Sequence, residues 1–445
     1  MWITVENLCI AQKGGAISDI CSPSTVSCMK NDPRNLSIED YDYHLPAERI
    51  AWSPLPVRHE SKLLCYKNGT ISDHHYIDLP TLLPANSFLV FNETKVIPAR
   101  LLFEKNTGGT IEIFCLQPDT SHRDMSEALL ATKSVIMQCL VGGASKWKPG
   151  VSLLKKCGLI ELRAYVLKKQ NDHFLIELEW TPNELTFASV LEKAGATPLP
   201  PYIKRQAAEQ DRQLYQTVYA KQAGSVAAPT AGLHFTDELL KRLQQKKIEH
   251  DFLTLHVGAG TFKPVKTSTM LAHEMHAEWI DVSLSFLEKW QAQLDKPLVA
   301  VGTTSMRTLE SLYWLGVKLR KEDHETAPVL SQWECYELEK DAVPLPAALT
   351  SLINWMRSNK LKNFITQTAL LVAPGYPCRV VNGLLTNFHQ PRSTLLLLIA
   401  ALVGDDWRKI YQHALDDHYR FLSFGDGSLL WRNDQYVASG NMIVN

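Results

Sequence analysis

The segment Ser225–Gln245 places residues that could do chemistry directly before a helix. Leucines after Thr236 recur at helical spacing, and Thr236 followed by two acidic residues is typical of a helix N-cap. Before it, Pro229, Gly232 and small neighbours would let the backbone approach a ligand closely, and the His234 imidazole is suited to acid/base work near neutral pH. We therefore predict that this segment forms the wall of a binding pocket, with His234 facing the ligand.

A second group of candidates follows the strand-like run "FLTLHV". His256 lies at its end, and Gly258, Gly260 and Thr261 come next. Glycines after a strand allow backbone N–H groups to approach a ligand. A dinucleotide-binding fingerprint would require a third glycine at the start of a helix, whereas "FKPV" follows here, which excludes it. A tight turn and a binding loop both remain open, and His256 is either a core histidine or a site residue.

The run "HEMHAEW" sets His273, His276 and Glu278 close together. Two histidines and a carboxylate could bind a metal ion, but the helical His-Glu-x-x-His spacing of zinc proteases is absent. We favour a hydrogen-bonded acid/base or hydroxyl-binding pair without a metal.

Three successive hydroxyl residues, Thr303, Thr304 and Ser305, stand between an apolar strand and a predicted helix. Capping of the helix accounts for one hydroxyl, and an anionic group held at the helix N-terminus would account for the others. Arg307 and Glu310 follow at a spacing of three, so a binding pair and a plain surface ion pair are both open.

Two segments near the C-terminus complete the set of candidates. Asn387, His389 and Arg392 lie between two apolar runs, of which Leu395–Val403 is interpreted as a buried helix or strand. Asp426 lies in a glycine-rich turn, where an aspartate is usually structural.

The order of elements predicts an α/β main body with an inserted, strand-rich antiparallel domain. Residues 101–189 alternate in short strand-like runs, which is typical of a barrel or sandwich. Residues 37–100 and 190–445 form the predicted body, with ligands expected at the carboxyl ends of its strands. Within it, residues 320–365 are charged and irregular and are predicted to be a surface excursion. Residues 1–36 are predicted to be a poorly ordered N-terminal extension.

Bulk composition excludes several classes of protein. The 445 residues carry 46 basic and 47 acidic side chains, which argues against a generally basic nucleic-acid coat but permits a local patch. No apolar run approaches the ~18 residues needed to span a bilayer. Nine cysteines without a Cys-x-x-Cys pair disfavour a disulfide scaffold or zinc ribbon, and indicate a reducing cytoplasm.

Taken together, the motifs resemble one family. "GSVAAPTAGLHFT", "LHVGAGTFKPV", "HEMHAE", "VGTTSMRTLESL", "TNFHQPRSTLLLL" and "YRFLSFGD" occur in the order seen in the S-adenosylmethionine:tRNA ribosyltransferase-isomerases of queuosine biosynthesis. "YDYHLPAERIA", "LVFNETKVIPARL" and "YQTVYAK" extend the resemblance toward the front, so that it covers about Tyr41 to Leu430.

The resemblance implies two domains, an α/β main body with an inserted small antiparallel β-barrel domain, and it implies a specific reaction. The ribosyl part of S-adenosylmethionine would be transferred and isomerised onto 7-aminomethyl-7-deazaguanine in tRNA, giving epoxyqueuosine and releasing adenine and methionine. Its partners would be S-adenosylmethionine and tRNA, with no membrane, no redox cofactor and no metal. We expect a cytoplasmic monomer.

The reaction needs a base, because the sulfonium acidifies the neighbouring ribose C–H bonds, and it needs contacts for the nucleoside. The predicted catalytic residues are His234, His256 and Glu278. The predicted substrate-binding residues are Thr230, Gly232, Phe235, Gly258, Gly260, Thr261, His276, Thr303, Thr304, Ser305, Arg307, Glu310, Asn387, His389 and Asp426. Phosphate contacts to tRNA are predicted for Lys241, Arg242, Arg392 and Arg408.

Several positions depart from the family pattern, namely Trp52, Asn382, Gln390 and the pair Gly427-Ser428. They leave two alternatives open. One is another nucleoside enzyme that uses S-adenosylmethionine, such as a methyltransferase, or a nucleoside hydrolase. The other is a catalytically altered paralogue that binds tRNA without consuming S-adenosylmethionine.

Overall fold

The computed structural model describes residues 32–433, apart from 106, 107, 120, 123, 149, 171, 172, 259, 261–264 and 266. Most of the predicted N-terminal extension and the predicted binding residue Thr261 lie outside the described residues. The described part of the extension contains a short 3-10 helix, Pro33–Asn35, whose first turn is capped by the Asp32 carboxylate.

The strands of the described chain are β1 (Lys62–Lys67), β2 (Thr70–His75), β3 (Phe88–Asn92), β4 (Thr94–Val96), β5 (Arg100–Glu104), β6 (Thr110–Pro118), β7 (Ser134–Gly142), β8 (Leu153–Cys157), β9 (Ile160–Lys169), β10 (Phe174–Thr181), β11 (Gly195–Ala196), β12 (Gln222–Ser225), β13 (Glu249–Leu255), β14 (Glu278–Ser283), β15 (Leu298–Val301), β16 (Asn363–Thr368), β17 (Gly383–Asn387) and β18 (Gly427–Trp431). Its α-helices are α1 (Leu79–Leu82), α2 (Met125–Leu130), α3 (Phe187–Ala194), α4 (Asp211–Leu214), α5 (Asp237–Gln245), α6 (Leu284–Gln291), α7 (Thr303–Lys321), α8 (Glu334–Glu337), α9 (Leu345–Ser358), α10 (Thr394–Val403) and α11 (Trp407–Asp416).

The body is built on a nine-stranded mixed sheet in the order β16-β14-β13-β3-β15-β17-β18-β1-β2. Its four central strands, β13, β3, β15 and β17, run parallel. Every residue of β3, β15 and β17 is buried, as expected for parallel strands covered on both faces. Their carboxyl ends therefore meet at one edge of the sheet.

A second, seven-stranded sheet is antiparallel and follows the order β11-β5-β6-β7-β10-β9-β8. In chain order it lies between β4 and β12, which pair with each other in parallel. It is curled enough for the Lys155 Nζ on β8 to donate a hydrogen bond to the Leu102 carbonyl on β5 at 3.0 Å. No ladder joins β8 to β5 in the described chain, so the structure shows a curled sheet where the sequence predicted a barrel.

The long helix α7 lies in the centre of the body. Its residues from Thr303 to Val317 are buried, because the helix packs between the sheet and α9. The contact with α9 requires a glycine: a Cβ atom on Gly316 would lie 2.3 Å from the Ala348 carbonyl oxygen.

The prediction that residues 320–365 form a surface excursion is wrong. Helix α9 lies within this range and buries Ala348, Leu349 and Leu352, while β16 begins at Asn363 and forms an edge of the main sheet. The charged residues before α9 obscured an apolar face with ordinary helical spacing.

Helix α10 covers the whole apolar run Leu395–Val403, and the run is buried from Leu396 to Val403, as predicted for a buried element. None of the helices that the structure describes is long and apolar enough to cross a bilayer.

Candidate active site

The carboxyl ends of the parallel strands bring four distant segments together. Asn92 ends β3, and its Nδ2 donates hydrogen bonds to the Leu255 carbonyl at 3.0 Å and to Thr304 Oγ1 at 3.2 Å. Gly302 ends β15 with a φ of 93° and turns the chain into α7. Asn387 ends β17. This edge is where open α/β sheets usually bind ligands.

Two adjoining clefts open at this edge. The apolar cleft encloses about 740 Å³, including its mouth, and its apolar lining residues are Ala227, Ala228, Pro229, Ala231, Val257, Phe388, Leu395 and Leu422. The polar cleft encloses about 1150 Å³ and carries most of the ionisable groups, namely His273, Glu274, His276, Glu278 and Arg307. Thr303, Thr304 and Leu395 line both clefts, so the clefts meet at the N-terminus of α7.

A buried ion pair lies in the wall of the polar cleft. Arg307 Nη1 donates to Glu278 Oε2, and Arg307 Nε donates to the Leu370 carbonyl at 3.1 Å. The Gly258 N–H donates to the other oxygen of Glu278 at 3.0 Å. Arg307 Nη2 is buried and has no hydrogen-bond partner among the described residues. One donor of this guanidinium is therefore left without an acceptor in the wall of the polar cleft.

The three hydroxyls at the start of α7 have different surroundings. Thr303 and Thr304 line both clefts. Ser305 is fully buried, and its Oγ donates to the Val301 carbonyl at 2.8 Å, so this hydroxyl is used within the fold.

Asn387 and Thr230 are two of the polar residues that line the apolar cleft. Thr230 Oγ1 donates to Asn387 Oδ1 at 2.8 Å, and both side chains line the cleft. His389 lines the same cleft, and burial lowers its pKa to about 3.

His234 lies behind Asn387 and does not line either cleft. Its ring stacks on Tyr76, with ring centroids 4.1 Å apart, and its Nε2 lies 3.4 Å from Asn387 Nδ2. Burial lowers the pKa of His234 to about 3. The expectation that this imidazole titrates near neutral pH is wrong, because desolvation disfavours its charged form.

His256 is similarly enclosed. Its Nδ1 lies 2.9 Å from Thr94 Oγ1, and a Cβ atom on Gly224 would lie 2.8 Å from its ring. Burial lowers its pKa to about 4, so it too is neutral near pH 7. The adjacent Val257, not His256, lines the apolar cleft.

The structure places four more predicted binding residues outside both clefts. Gly232 packs under Tyr219, and Phe235 makes an edge contact with Phe91 in the core. The Glu310 carboxylate accepts hydrogen bonds from the Tyr376 hydroxyl and from the backbone N–H groups of residues 379–381. The fourth, Asp426, accepts from the backbone N–H groups of residues 62 and 420, as a turn aspartate would.

The predicted tRNA-contact arginines are engaged on the surface of the body. Arg242 pairs with the Glu238 carboxylate at 2.6 Å, and Arg392 lies within 3.6 Å of two carboxylates. Arg408 donates to the Asp40 carbonyl at 2.6 Å and stacks over a tryptophan ring. Lys241 is exposed.

Some residues of the clefts were not singled out from the sequence. Tyr202 and Ser423 line the apolar cleft, where their hydroxyls hydrogen-bond to each other, and residues 370–372 line the polar cleft. For Tyr202 the only signal in the sequence was the proline pair before it in "PLPPYI", and for Ser423 it was the turn after it in "FLSFGD".

Comparison with known proteins decides the family. The model of the queuosine biosynthesis protein family matches residues 38–430. The chain belongs to this family. The resemblance found in the sequence motifs is thereby confirmed.

Two relatives are named S-adenosylmethionine:tRNA ribosyltransferase-isomerase. The protein of Thermosynechococcus vestitus is 35% identical over 403 residues, which cover 89% of this chain and 97% of that protein. The protein of Azoarcus sp. is 36% identical over 406 residues, with 90% and 99% covered. A crystal structure of S-adenosylmethionine tRNA ribosyltransferase from Thermotoga maritima is 26% identical and covers 88% of this chain and 99% of that one, with a TM-score of 0.41.

Proposed function

We propose that this protein transfers and isomerises the ribosyl moiety of S-adenosylmethionine onto 7-aminomethyl-7-deazaguanine in tRNA. Epoxyqueuosine-tRNA is the product, and adenine and methionine are released. The observation that carries the proposal is the similarity to relatives of that name over 97 to 99% of their own length. The paired clefts support it, because the reaction needs a nucleoside donor beside an RNA base.

The polar cleft is suited to the methionine part of the donor. Its carboxylate would accept from Arg307 Nη2, a buried donor that has no partner among the described residues. The N-terminus of α7, a helix of 19 residues, adds favourable positive potential at the same place. Charge-assisted hydrogen bonds of this kind are stronger than neutral ones.

The apolar cleft is suited to a flat base. Alanine, valine and leucine side chains form part of its walls, and Asn387 and Thr230 are among its hydrogen-bonding groups. The ribose would then lie at the shared boundary, beside the hydroxyls of Thr303 and Thr304. His234 acts as a positioning residue, since its ring packs behind Asn387.

Among the three predicted catalytic residues, Glu278 alone lines a cleft, so we assign the base to its carboxylate. It would take a proton from the ribose carbon next to the sulfonium. The electron pair left on that carbon would drive the rearrangement that expels adenine. The substrate's exocyclic amine then attacks the sugar, and methionine leaves. The sulfonium activates the donor, so this route requires no redox cofactor or metal.

The finer organisation is part of the same proposal. Residues 101–189 would form an inserted barrel-type domain, supported by a hydrophobic core separate from the main core of the body. The enzyme would work as a cytoplasmic monomer, with residues 1–36 as an extension.

The test is to incubate the protein with S-adenosylmethionine and tRNA bearing the aminomethyl-deazaguanine, and to weigh the digested nucleosides. We expect epoxyqueuosine, with adenine and methionine in equal amounts, and no product from Glu278→Gln. Formation of S-adenosylhomocysteine would instead identify a methyltransferase. Binding of tRNA without consumption of S-adenosylmethionine would identify an altered paralogue.

A further inference from the structure

One end of the curled sheet collects lysines from three connections between its strands. Glu104 at the end of β5 pairs with Thr110 at the start of β6, and β7 ends at Gly142 beside Glu112. At the same end, β9 finishes at Lys169 opposite Phe174 on β10, which itself pairs with Cys139 on β7. The lysine rim is the set of lysines in or next to these connections: Lys105, Lys146, Lys148, Lys168 and Lys169.

Contacts within the described residues join two connections of the rim, and they leave the ammonium groups of three rim lysines without an ion-pair partner in the described chain. The Lys105 Nζ donates to the Lys146 carbonyl at 2.8 Å, which ties the β5–β6 connection to the β7–β8 connection. Lys146, Lys148 and Lys168 are exposed and form no ion pair with any described residue. The Lys169 Nζ lies 5.9 Å from the ring centroid of Phe174.

Little acidic charge opposes the rim. Residues 146–169 include seven basic residues and one acidic residue, in a chain whose formal net charge is −1. That acidic residue, Glu161, pairs with Lys156 at 2.6 Å, outside the rim. Glu104 is the exposed carboxylate at the rim itself, and Asp172 of the β9–β10 connection lies outside the described residues.

The rim lies at the end of the sheet away from the body. At the opposite end, β11 pairs with β5 at Leu101, and Cys157 donates to the Lys193 carbonyl of α3. A strand of ten residues such as β9 extends ~30 Å. A partner that contacts both the body and the rim must therefore be long, and it must be anionic.

We propose that the lysine rim binds the phosphate backbone of tRNA, as a second contact surface apart from the clefts; this inference rests on the proposed function. Exposed lysines without a shaped pocket recognise phosphate as point charges and carry no sequence information. The rim is better suited to this role than the arginines of the body, which are already paired with carboxylates or held by other contacts.

The test compares two triple variants that remove the same charge. The rim variant is Lys146→Gln, Lys148→Gln and Lys168→Gln. The control, on the exposed surface of the body, is Arg320→Gln, Lys340→Gln and Lys362→Gln. We expect the rim variant to raise the Kd for tRNA by ~5- to 30-fold at low salt, and to lower the slope of log K against log salt by ~2, since each lost phosphate contact removes ~0.7 to 0.9. The control should match the wild type.

Turnover separates this inference from the proposed function. At saturating tRNA the rim variant should keep the wild-type kcat, with the loss confined to the KM for tRNA. Wild-type affinity and salt slope in the rim variant would overturn the inference, and so would equal losses in both triple variants. Failure of the wild-type protein to make epoxyqueuosine would overturn the proposed function, while the binding comparison would still decide on the rim.

Discussion

At the scale of single residues, the pair formed by Arg307 and Glu278 is the most informative feature. Both side chains are buried, and removal of one partner from such a pair usually destabilises a protein by ~3 to 5 kcal/mol. Arg307 Nη2 has no partner among the described residues, and Arg307 lines the polar cleft. We therefore interpret this pair as part of the binding machinery.

Replacement of Arg307 by lysine tests this interpretation. Arg307→Lys keeps the positive charge beside Glu278 but loses the Nη2 donor, so the KM for S-adenosylmethionine should rise ~10- to 100-fold, the range expected for a charge-assisted hydrogen bond of ~1.5 to 3 kcal/mol. Steady-state kinetics with saturating tRNA would measure it.

The matched control is Arg379→Lys, which also alters an arginine paired with a glutamate, in this case away from both clefts. The KM of the Arg379→Lys variant for S-adenosylmethionine should stay within about twofold of the wild-type value. A similar rise in both variants would mean that the effect is structural.

At the scale of elements, α7 positions the site and is itself positioned by glycines. Gly302 has a φ of 93°, which favours glycine, and it turns β15 directly into α7 at the meeting point of the clefts. Gly316 brings α7 against the backbone of α9. The position of the α7 N-terminus therefore depends on a contact that lies four turns away along the helix.

Gly316→Ala should destabilise the protein although alanine is the better helix former. The new Cβ would lie 2.3 Å from the Ala348 carbonyl oxygen, a backbone atom, so one helix must move. Overpacking of this kind costs ~1 to 3 kcal/mol, against ~1 kcal/mol gained in helix propensity. Urea unfolding should show a net loss of up to ~2 kcal/mol. Arg320→Ala, on the exposed last turn of α7, should stay within ~0.5 kcal/mol, and stabilisation by Gly316→Ala would contradict the packing argument.

At the scale of the whole molecule, the described chain buries His234 and partly buries His256 and His389. Burial lowers the pKa of His234 and His389 to about 3 and that of His256 to about 4, from an ordinary value of 6.5. Below pH 6.5 the unfolded chain binds more protons than the native state. Their contribution to stability is therefore complete above pH 6.5 and is lost as the pH falls toward these lowered values.

The free energy of unfolding should thus fall between pH 6.5 and 5, approaching ~1.4 kcal/mol per pH unit for each such histidine. Urea unfolding at several pH values would measure the slope of the free energy of unfolding against pH. His256→Gln should reduce this slope by the contribution of one proton, which is at most ~1.4 kcal/mol per pH unit. An unchanged slope in His256→Gln would show that His256 is not held neutral in the folded protein.

Much of this organisation could be predicted from local patterns in the sequence. The apolar run before Gly302 became β15, the hydroxyls after it began α7, and the ordered motifs identified the family. These features depend on neighbours along the chain, namely strand and helix periodicity and the conformational freedom of glycine. The alternation within residues 101–189 likewise predicted an antiparallel sheet, but not whether the sheet closes.

Which side chains face the clefts was decided only by tertiary structure. His234, Phe235 and Glu310 belong to motifs that contribute to the site, yet each turns into the core because a segment far away in the chain covers it. Arg307 lies in the same motif of α7, three residues before Glu310, but it lines the polar cleft. Local spacing determines how residues on one helix are oriented relative to one another, whereas the packing of distant elements decides which face of that helix remains open to a ligand.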